Sequence, residues 1–520
     1  MPGNLTPFAK HVRFLLPVVL FTALLYWRIP SAYYCGFDDM LELHRMEFLD
    51  GKTLKTDFTV VPYESRKYRP LTLTLNRLTY ELGNKSAVPF RTRNVLAHLG
   101  SICMVYGIAW LLFESIPVAA LAALYFAIVP LVNQVVVGAS WTVAQADFQY
   151  LLATFLFLYA VRKKSIKWLA LAMLSAWIAV LIYDATVTIV GVTFAYLLSW
   201  WIIGRKKVAS PRFIAALVVM TLVIVGVFFS ARALLFPPGH AQPVQLRSVL
   251  VNAAIFASAP FMFFDPVLAN DLFDTPLPSE VMHGGAPLSV EWMAVTILPV
   301  VCFAILALYA AVYLRKRRAS LEWPNLAFLL IVFGGCCVPY LSFTDHASET
   351  YMYLPMAFFS IFLSRLIIAA LTDSAGHLAT RAAVAIAILL VLLYGPATWN
   401  RNQRVARCGS IVRNIFTGLR EQAAGRPLSR IVLAPVPDEP VSRPYGMYGY
   451  RGIEALGYGS YGYAGIRSGI AAYLKNNDLQ VETRPPNELP HACPSNAPNE
   501  LCAWVHADGR VAVERPFRLP

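Results

Sequence analysis

Charge is what this 520-residue chain has little of: 14% of its residues are Asp, Glu, Lys or Arg, against about a quarter in a soluble globule. Acids are scarcer than bases, 30 against 44, and 57% of the chain is hydrophobic, with a mean hydropathy of +0.55. The shortfall excludes a soluble globule and implies an integral membrane protein. The net charge of +14 does not point to nucleic acid. Its basic residues fall in short clusters between apolar runs, the pattern that orients a membrane protein. Cysteine spacing of the kind that holds zinc or haem is missing; the eight cysteines are scattered, and Cys336 and Cys337 sit inside an apolar run as packing residues. There is no His-Glu-x-x-His site, no serine–histidine protease motif and no Gly-x-Gly-x-x-Gly loop between a strand and a helix. The basic flank Lys10, His11 and Arg13 precedes the first apolar stretch as in a signal peptide. No small-residue cleavage site follows, so that stretch is expected to stay as a first helix.

What is there is a series of apolar runs. A helix crossing the hydrocarbon needs roughly 20 residues. Such runs fall near 12–29, 95–113, 118–137, 147–161, 168–183, 185–203, 212–235, 292–314, 324–342, 354–371 and 381–398. Eleven spans put the N-terminus, Arg162-Lys163-Lys164, Lys167, Arg205-Lys206-Lys207 and Arg315-Lys316-Arg317-Arg318 all on the cytoplasmic side. Counting the short run 249–264 as a span would put the last cluster outside, so that run is expected to be re-entrant or interfacial. The expected fold class is a mainly α polytopic membrane protein over residues 1–398. A small C-terminal extracytoplasmic α/β domain follows over 399–520.

This topology gathers four polar features on the extracytoplasmic side: Asp38-Asp39, the Gly138–Asp147 loop, the Tyr183-Asp184 corner and the Asp345–Tyr353 loop. Carboxylates at a membrane surface are costly unless they bind something. The alternative for Asp38 and Asp39 is capping of the helix that starts at Met40, and for Asp147 capping of its own helix. The loop over 30–94 is too long for a simple connection. Leu71, Leu75, Leu78 and Leu82 recur at helical spacing, and Met40, Leu43 and Glu47 begin another helix. Both are expected to lie in the membrane interface, with Arg66, Lys67 and Arg69 forming a cationic patch between them that attracts anionic headgroups.

Hydropathy falls from Trp399. Arg430–Pro435 and Ala503–Val513 read as strands, the second turning at Asp508-Gly509. A Tyr/Gly-rich stretch from Arg443 to Gly469 can present tyrosines to a glycan or an acceptor protein. Cys493 and Cys502 are near enough in sequence to bridge in an oxidising compartment.

Three function classes remain, one of them a non-enzymatic assembly or scaffold protein, which equal activity of the Asp variants in cells would favour. A transporter or flippase of lipid-linked sugars keeps its ionisable groups at mid-membrane, often in repeated halves. Here the carboxylates lie at span ends and no internal repeat is present. A transferase acting on a lipid-carried substrate fits better: its donor lies in the bilayer, cations reach the phosphate, and a carboxylate takes the proton of an acceptor hydroxyl.

The first outer loop with Asp38-Asp39, the Tyr68-Arg69-Pro70-Leu71 segment and the Arg93–Gly100 start of the second span resemble GT-C polytopic glycosyltransferases. Ser348-Glu349-Thr350-Tyr351-Met352-Tyr353-Leu354-Pro355 adds to the likeness. Protein O-mannosyltransferases and the bacterial lipid A aminoarabinose transferase belong to this group. The likeness covers about the first 370 residues; tetratricopeptide repeats and a Trp-Trp-Asp motif are absent, against the eukaryotic mannosyltransferases and against en bloc glycan transfer to asparagine. What the resemblance implies is a GT-C-like fold, a polyprenyl-phosphate sugar donor, inversion at the anomeric carbon, and Asp39 or Asp38 as base. It also implies that Asp147 positions the acceptor or shares a divalent cation (Mg or Mn) with Asp39. Arg69, Arg232 and His346 are candidates for the donor phosphate; the alternatives are snorkelling for the arginines and pairing with Asp345 for the histidine. Glu349, Tyr351 and Tyr353 are candidates for the sugar pocket, with Tyr183-Asp184 behind them. The expected partners are the donor, an extracytoplasmic acceptor (glycan, lipid or protein) and membrane lipid, in a bacterial inner membrane with the site facing the periplasm.

Overall fold

Apolar stretches surrounded by lipid satisfy their own backbone hydrogen bonds by coiling into helices, and the chain is mostly helical. The structure, a computed structural model, describes residues 7–35, 37–48, 53–59, 68–206, 208–235, 245–261, 322–342, 349–373, 377–436, 468–484, 489, 499–506 and 508–513. In chain order the helices are α1 (Pro7–Leu25), α2 (Phe37–Phe48), α3 (Leu54–Thr59), α4 (Pro70–Leu82), α5 (Val88–Phe113) and α6 (Ile116–Ile128). Then come α7 (Asn133–Val137), α8 (Val143–Lys163), α9 (Ile166–Ile182), α10 (Ile189–Ile202), α11 (Pro211–Leu235) and α12 (Leu246–Ser258). The last three are α13 (Trp323–Leu341), α14 (Tyr353–Asp373) and α15 (His377–Ala423).

Six helical stretches are long and apolar enough to cross a membrane, or seven if the pair on either side of Val129, bent by 61°, is one span. The expected eleven is therefore not reached among the described residues. The run near 292–314 and the cluster Arg315–Arg318 lie outside them. The run near 118–137 is broken where Pro130 follows α6, as a missing N–H dictates. The run 381–398 is only part of α15, whose 47 residues make a rod about 70 Å long that passes 398 without a break. α12, at 13 residues, is short for a span. Asn252 on it donates to the carbonyls of Tyr340 and Leu341 at 3.4 and 3.1 Å, satisfying the open end of α13.

Helices α5, α6, α8 and α14 form the centre, with α9 on α8 and α13 on α14. Phe148 of α8 lies so near Gly100 of α5 that a Cβ there would sit 2.7 Å from the ring, the close approach that small residues allow between helices in lipid. Outward faces are apolar: Leu16, Leu20 and Leu24 on α1 and Val219, Leu222 and Val223 on α11 are exposed. Surfaces of that kind are stable facing hydrocarbon and not facing water. α4 shows the same inversion, with Thr74, Asn76 and Tyr80 buried while Leu78 and Leu82 are 43% and 85% exposed, which fits the interfacial helix expected there.

Beyond α15 lies a four-stranded sheet of order β2-β1-β3-β4, from β1 (Arg430–Pro435), β2 (Gln480–Thr483), β3 (Glu500–Val505) and β4 (Val511–Ala512). β1 is parallel to β2 and β3, and β4 turns back antiparallel to β3. Both expected strand regions are present. The turn at Asp508-Gly509 rests on α15: Gly509 has φ +87°, and a Cβ on it would collide with the Ile411 carbonyl. Asn414 of α15 donates to the Asp508 carbonyl at 2.8 Å. Cys502 is disulfide-bonded; its expected partner Cys493 lies outside the described residues.

Candidate functional site

The site is framed by a buried cation. Arg91, in the first turn of α5, has no exposed surface, and a charge so placed requires partners. It donates to the carbonyls of Val137 and, at 2.7 Å, Tyr33, and lies 3.2 Å from the Cys35 sulfur. Its guanidinium is 3.5 Å from Asp39. Asp39, itself buried, accepts from the backbone N–H of Ser140 at 2.8 Å and of Cys35 at 3.4 Å. The second bond is the backward reach of a first-turn carboxylate onto the chain before its helix, so capping is realised in part. Asn76 donates to the Ser140 carbonyl at 2.9 Å and Asn94 to that of Gly138. The Thr72 hydroxyl lies 2.6 Å from both the Thr142 hydroxyl and the Ile182 carbonyl. The first outer loop is thereby tied to residues 138–142 and to the end of α9.

Asp147 is different. α8 begins at Val143 with Thr142 at its N-cap, so Asp147 falls in the second turn and does not cap. It is buried, and among the described residues its carboxylate has no hydrogen-bond or ion-pair partner. A carboxylate is rarely left so unless it has work to do. The Tyr150, Tyr183, Tyr340 and Tyr353 hydroxyls and the Cys336 thiol lie within range of its charge. The Tyr183 and Tyr340 hydroxyls are hydrogen-bonded to each other, and Tyr340 is stacked on Tyr351, 4.1 Å between centroids at 9°. Arg69 lies 4.1 Å over the Tyr183 ring and donates to one oxygen of Asp184 at 2.8 and 2.6 Å. Burial works against the Arg69 charge, but Asp184 and Tyr183 outweigh it and raise the guanidinium above its ordinary value. An unpartnered acid, ring faces with hydroxyls and a cation thus meet at one place.

Of the expected site residues, the structure brings together Asp147, Arg69 and Tyr351, with Tyr183 and Asp184, and ties Asp39 to them through Ser140. Glu349 is buried in a pair with Arg401, at 2.5 and 2.9 Å. The fully buried Tyr353 hydroxyl is 2.8 Å from His98 Nδ1. The polar atoms of both are engaged inside the bundle. Arg232 is exposed in the last turn of α11, one turn beyond Phe228, whose ring meets Tyr68 at 6.2 Å. Asp38 is in the first turn of α2, with its side chain outside the described residues, as His346 is entirely. Arg91, Tyr150, Tyr340 and Arg401 were not legible as site residues. Among the described residues no three His, Cys, Asp or Glu side chains come together to hold a metal ion.

In fold the chain is similar to a solved archaeal membrane oligosaccharyltransferase. The oligosaccharyltransferase of Archaeoglobus fulgidus in its apo form is similar to this chain with a TM-score of 0.56 at 15% identity, covering 91% of this chain and 65% of that one. The same organism's oligosaccharyltransferase AglB, in complex with an inhibitory peptide and a dolichol-phosphate, is similar with a TM-score of 0.50 at 12% identity, over the same shares. The apo structure of ArnT from Cupriavidus metallidurans aligns with a TM-score of 0.41 at 14% identity over 92% of this chain and 86% of that one. The chain thus spans 65% of the length of the oligosaccharyltransferase. No protein-family model and no curated protein matches it.

Proposed function

We propose that the protein is an inverting glycosyltransferase that moves a sugar from a polyprenyl-phosphate donor to a hydroxyl of an extracytoplasmic glycan, lipid or protein. The observation that carries this reading is the buried Asp147 carboxylate, unpartnered among the described residues beside the Tyr183–Tyr340 pair and Arg69. In the reaction the acceptor oxygen attacks the anomeric carbon from the face opposite the phosphate. The bond from that carbon to the phosphate oxygen breaks, the electron pair leaves with the phosphate, and the acceptor proton passes to a carboxylate. Asp147 is free to take that proton. Asp39, expected as the base, is shared among Arg91, Ser140 and Cys35 and in this reading holds the 138–142 loop in place. The N–H groups that Arg69 does not spend on Asp184 meet the charge growing on the leaving phosphate, and stacked Tyr340 and Tyr351 offer ring faces to the sugar.

The fold supports a lipid-borne donor, since the similar AglB was solved with a dolichol-phosphate. The disulfide at Cys502 fits an oxidising compartment, which for a bacterial inner membrane is the periplasm. Purified protein given a polyprenyl-phosphate sugar and candidate acceptors tests the reading. Product that persists in Asp147→Asn overturns the base assignment, and movement of the lipid-linked sugar across vesicles without transfer favours a flippase.

A further inference from the structure

The C-terminal end of α15 and the helical residues 468–474 border a half-open surface pocket of about 330 Å³. Arg420, Arg426 and Lys475 line it with Tyr473 and Asn476, and no acidic side chain is among its described lining residues. Among the described residues none of these three cations is in an ion pair. Arg420 lies 5.2 Å over the Tyr473 ring, and Arg426 donates to the Glu500 carbonyl at 2.8 Å. Glu47 of α2 lies within reach of the Lys475 charge, but its carboxylate is bonded to Lys85 and Tyr80. Among the described residues the arginines on the sheet itself are paired: Arg430 with Glu482 and Glu500, Arg484 with Glu482, and Arg510 with Asp508. Like charges gathered without counter-ions repel, and an anion between them removes the repulsion.

We propose that this pocket binds the anionic group, phosphate or carboxylate, of a soluble saccharide. Its volume lies at the small end of ligand sites and suits about one sugar unit, with the Tyr473 ring as an apolar face. A lipid headgroup carries the same chemistry, and the displacement arm of the test separates the two sources. The site is separate from the transfer chemistry and does not depend on it.

The test titrates the full chain, in nanodiscs of neutral lipid, with glucose 6-phosphate, glucuronate and glucose, followed by calorimetry. Both anions bind and glucose does not. Arg420→Gln and Lys475→Gln, both exposed positions, each weaken the anions about tenfold with unchanged thermal unfolding, and Asp147→Asn leaves them untouched. The proposal is overturned if neither anion binds, if glucose binds equally, or if the Gln variants bind as the parent does. Displacement of both sugars by short-chain phosphatidylglycerol at lower concentration overturns the saccharide as the source of the anion.

Discussion

Arg401 places Nη1 2.5 Å from one oxygen of Glu349 and Nη2 2.9 Å from the other, with both side chains buried. The same Nη1 donates to the Pro130 carbonyl at 3.0 Å. One arginine therefore pins α15 to the entry of α14 and to the break after α6. Such a pair adds little or no stability against an apolar equivalent, but losing one member strands the other charge. Arg401→Leu is expected to cost about 3–5 kcal/mol, read as a fall in the unfolding midpoint in detergent. Arg401→Leu with Glu349→Leu recovers most of it. A single variant that unfolds like the parent removes the pair from the list of structural ties.

Asp39 and Asp147 are expected to separate in the same kind of experiment. Asp147→Asn removes a group that holds nothing in place among the described residues, so the unfolding midpoint stays while turnover falls by about 10²–10⁴. Asp39→Asn leaves Arg91 buried without its carboxylate and loosens the 138–142 loop, so stability and turnover fall together. Equal midpoints for the two variants would contradict the division of labour drawn here.

Many of the apolar spans, the strands β1, β3 and β4 and the acids at span ends were legible because each follows from spacing or from a rare residue in an apolar run, whereas β2 (Gln480–Thr483) was not. α15 was legible only to residue 398. Beyond it Val405, Cys408, Ile411, Val412, Ile415, Phe416 and Leu419 are buried at helical spacing, but polar neighbours lower the mean hydropathy there. Arg91 reads in sequence as one more charge at the foot of a span, where headgroup contact is the ordinary outcome. Its inward turn depends on the Val137, Tyr33 and Asp39 partners, and no local pattern encodes pairings at such separations. Tyr340 is hidden for a related reason: within an apolar run a tyrosine looks like packing, and only the fold sets it against Tyr183 and Tyr351.

The C-terminal sheet carries a pH response of its own. Hydrogen bonds from Arg430, with help from Arg484 and against partial burial, hold the Glu482 carboxyl below its ordinary value of 4.5. A carboxyl depressed on folding contributes stability that is complete above its unfolded value and is lost as pH falls through the folded one. Amide protection in β1 and β2 is therefore expected to be flat from neutrality down to about pH 4.5 and to decline below it. Glu482→Gln lowers the plateau and removes the decline, measured by hydrogen exchange at Ile431 and Val481.

Arg69 tests whether the guanidinium is used as a fork or as a simple charge. Its Nε and Nη2 both reach Asp184, and its plane covers the Tyr183 ring at 4.1 Å. Lysine keeps the charge but offers neither a planar face nor two donors in fixed relation. Arg69→Lys is therefore expected to free Tyr183 from its cover and weaken the hold on the donor phosphate. KM for the lipid-linked sugar rises by about tenfold, the scale of one charge-assisted hydrogen bond, while KM for the acceptor stays. Asp184→Asn, which leaves the guanidinium in place but slackens it, moves the same constant in the same direction by less. Steady-state kinetics with donor and acceptor varied separately decide the matter, since a purely structural Arg69 would lower both affinities and the unfolding midpoint together.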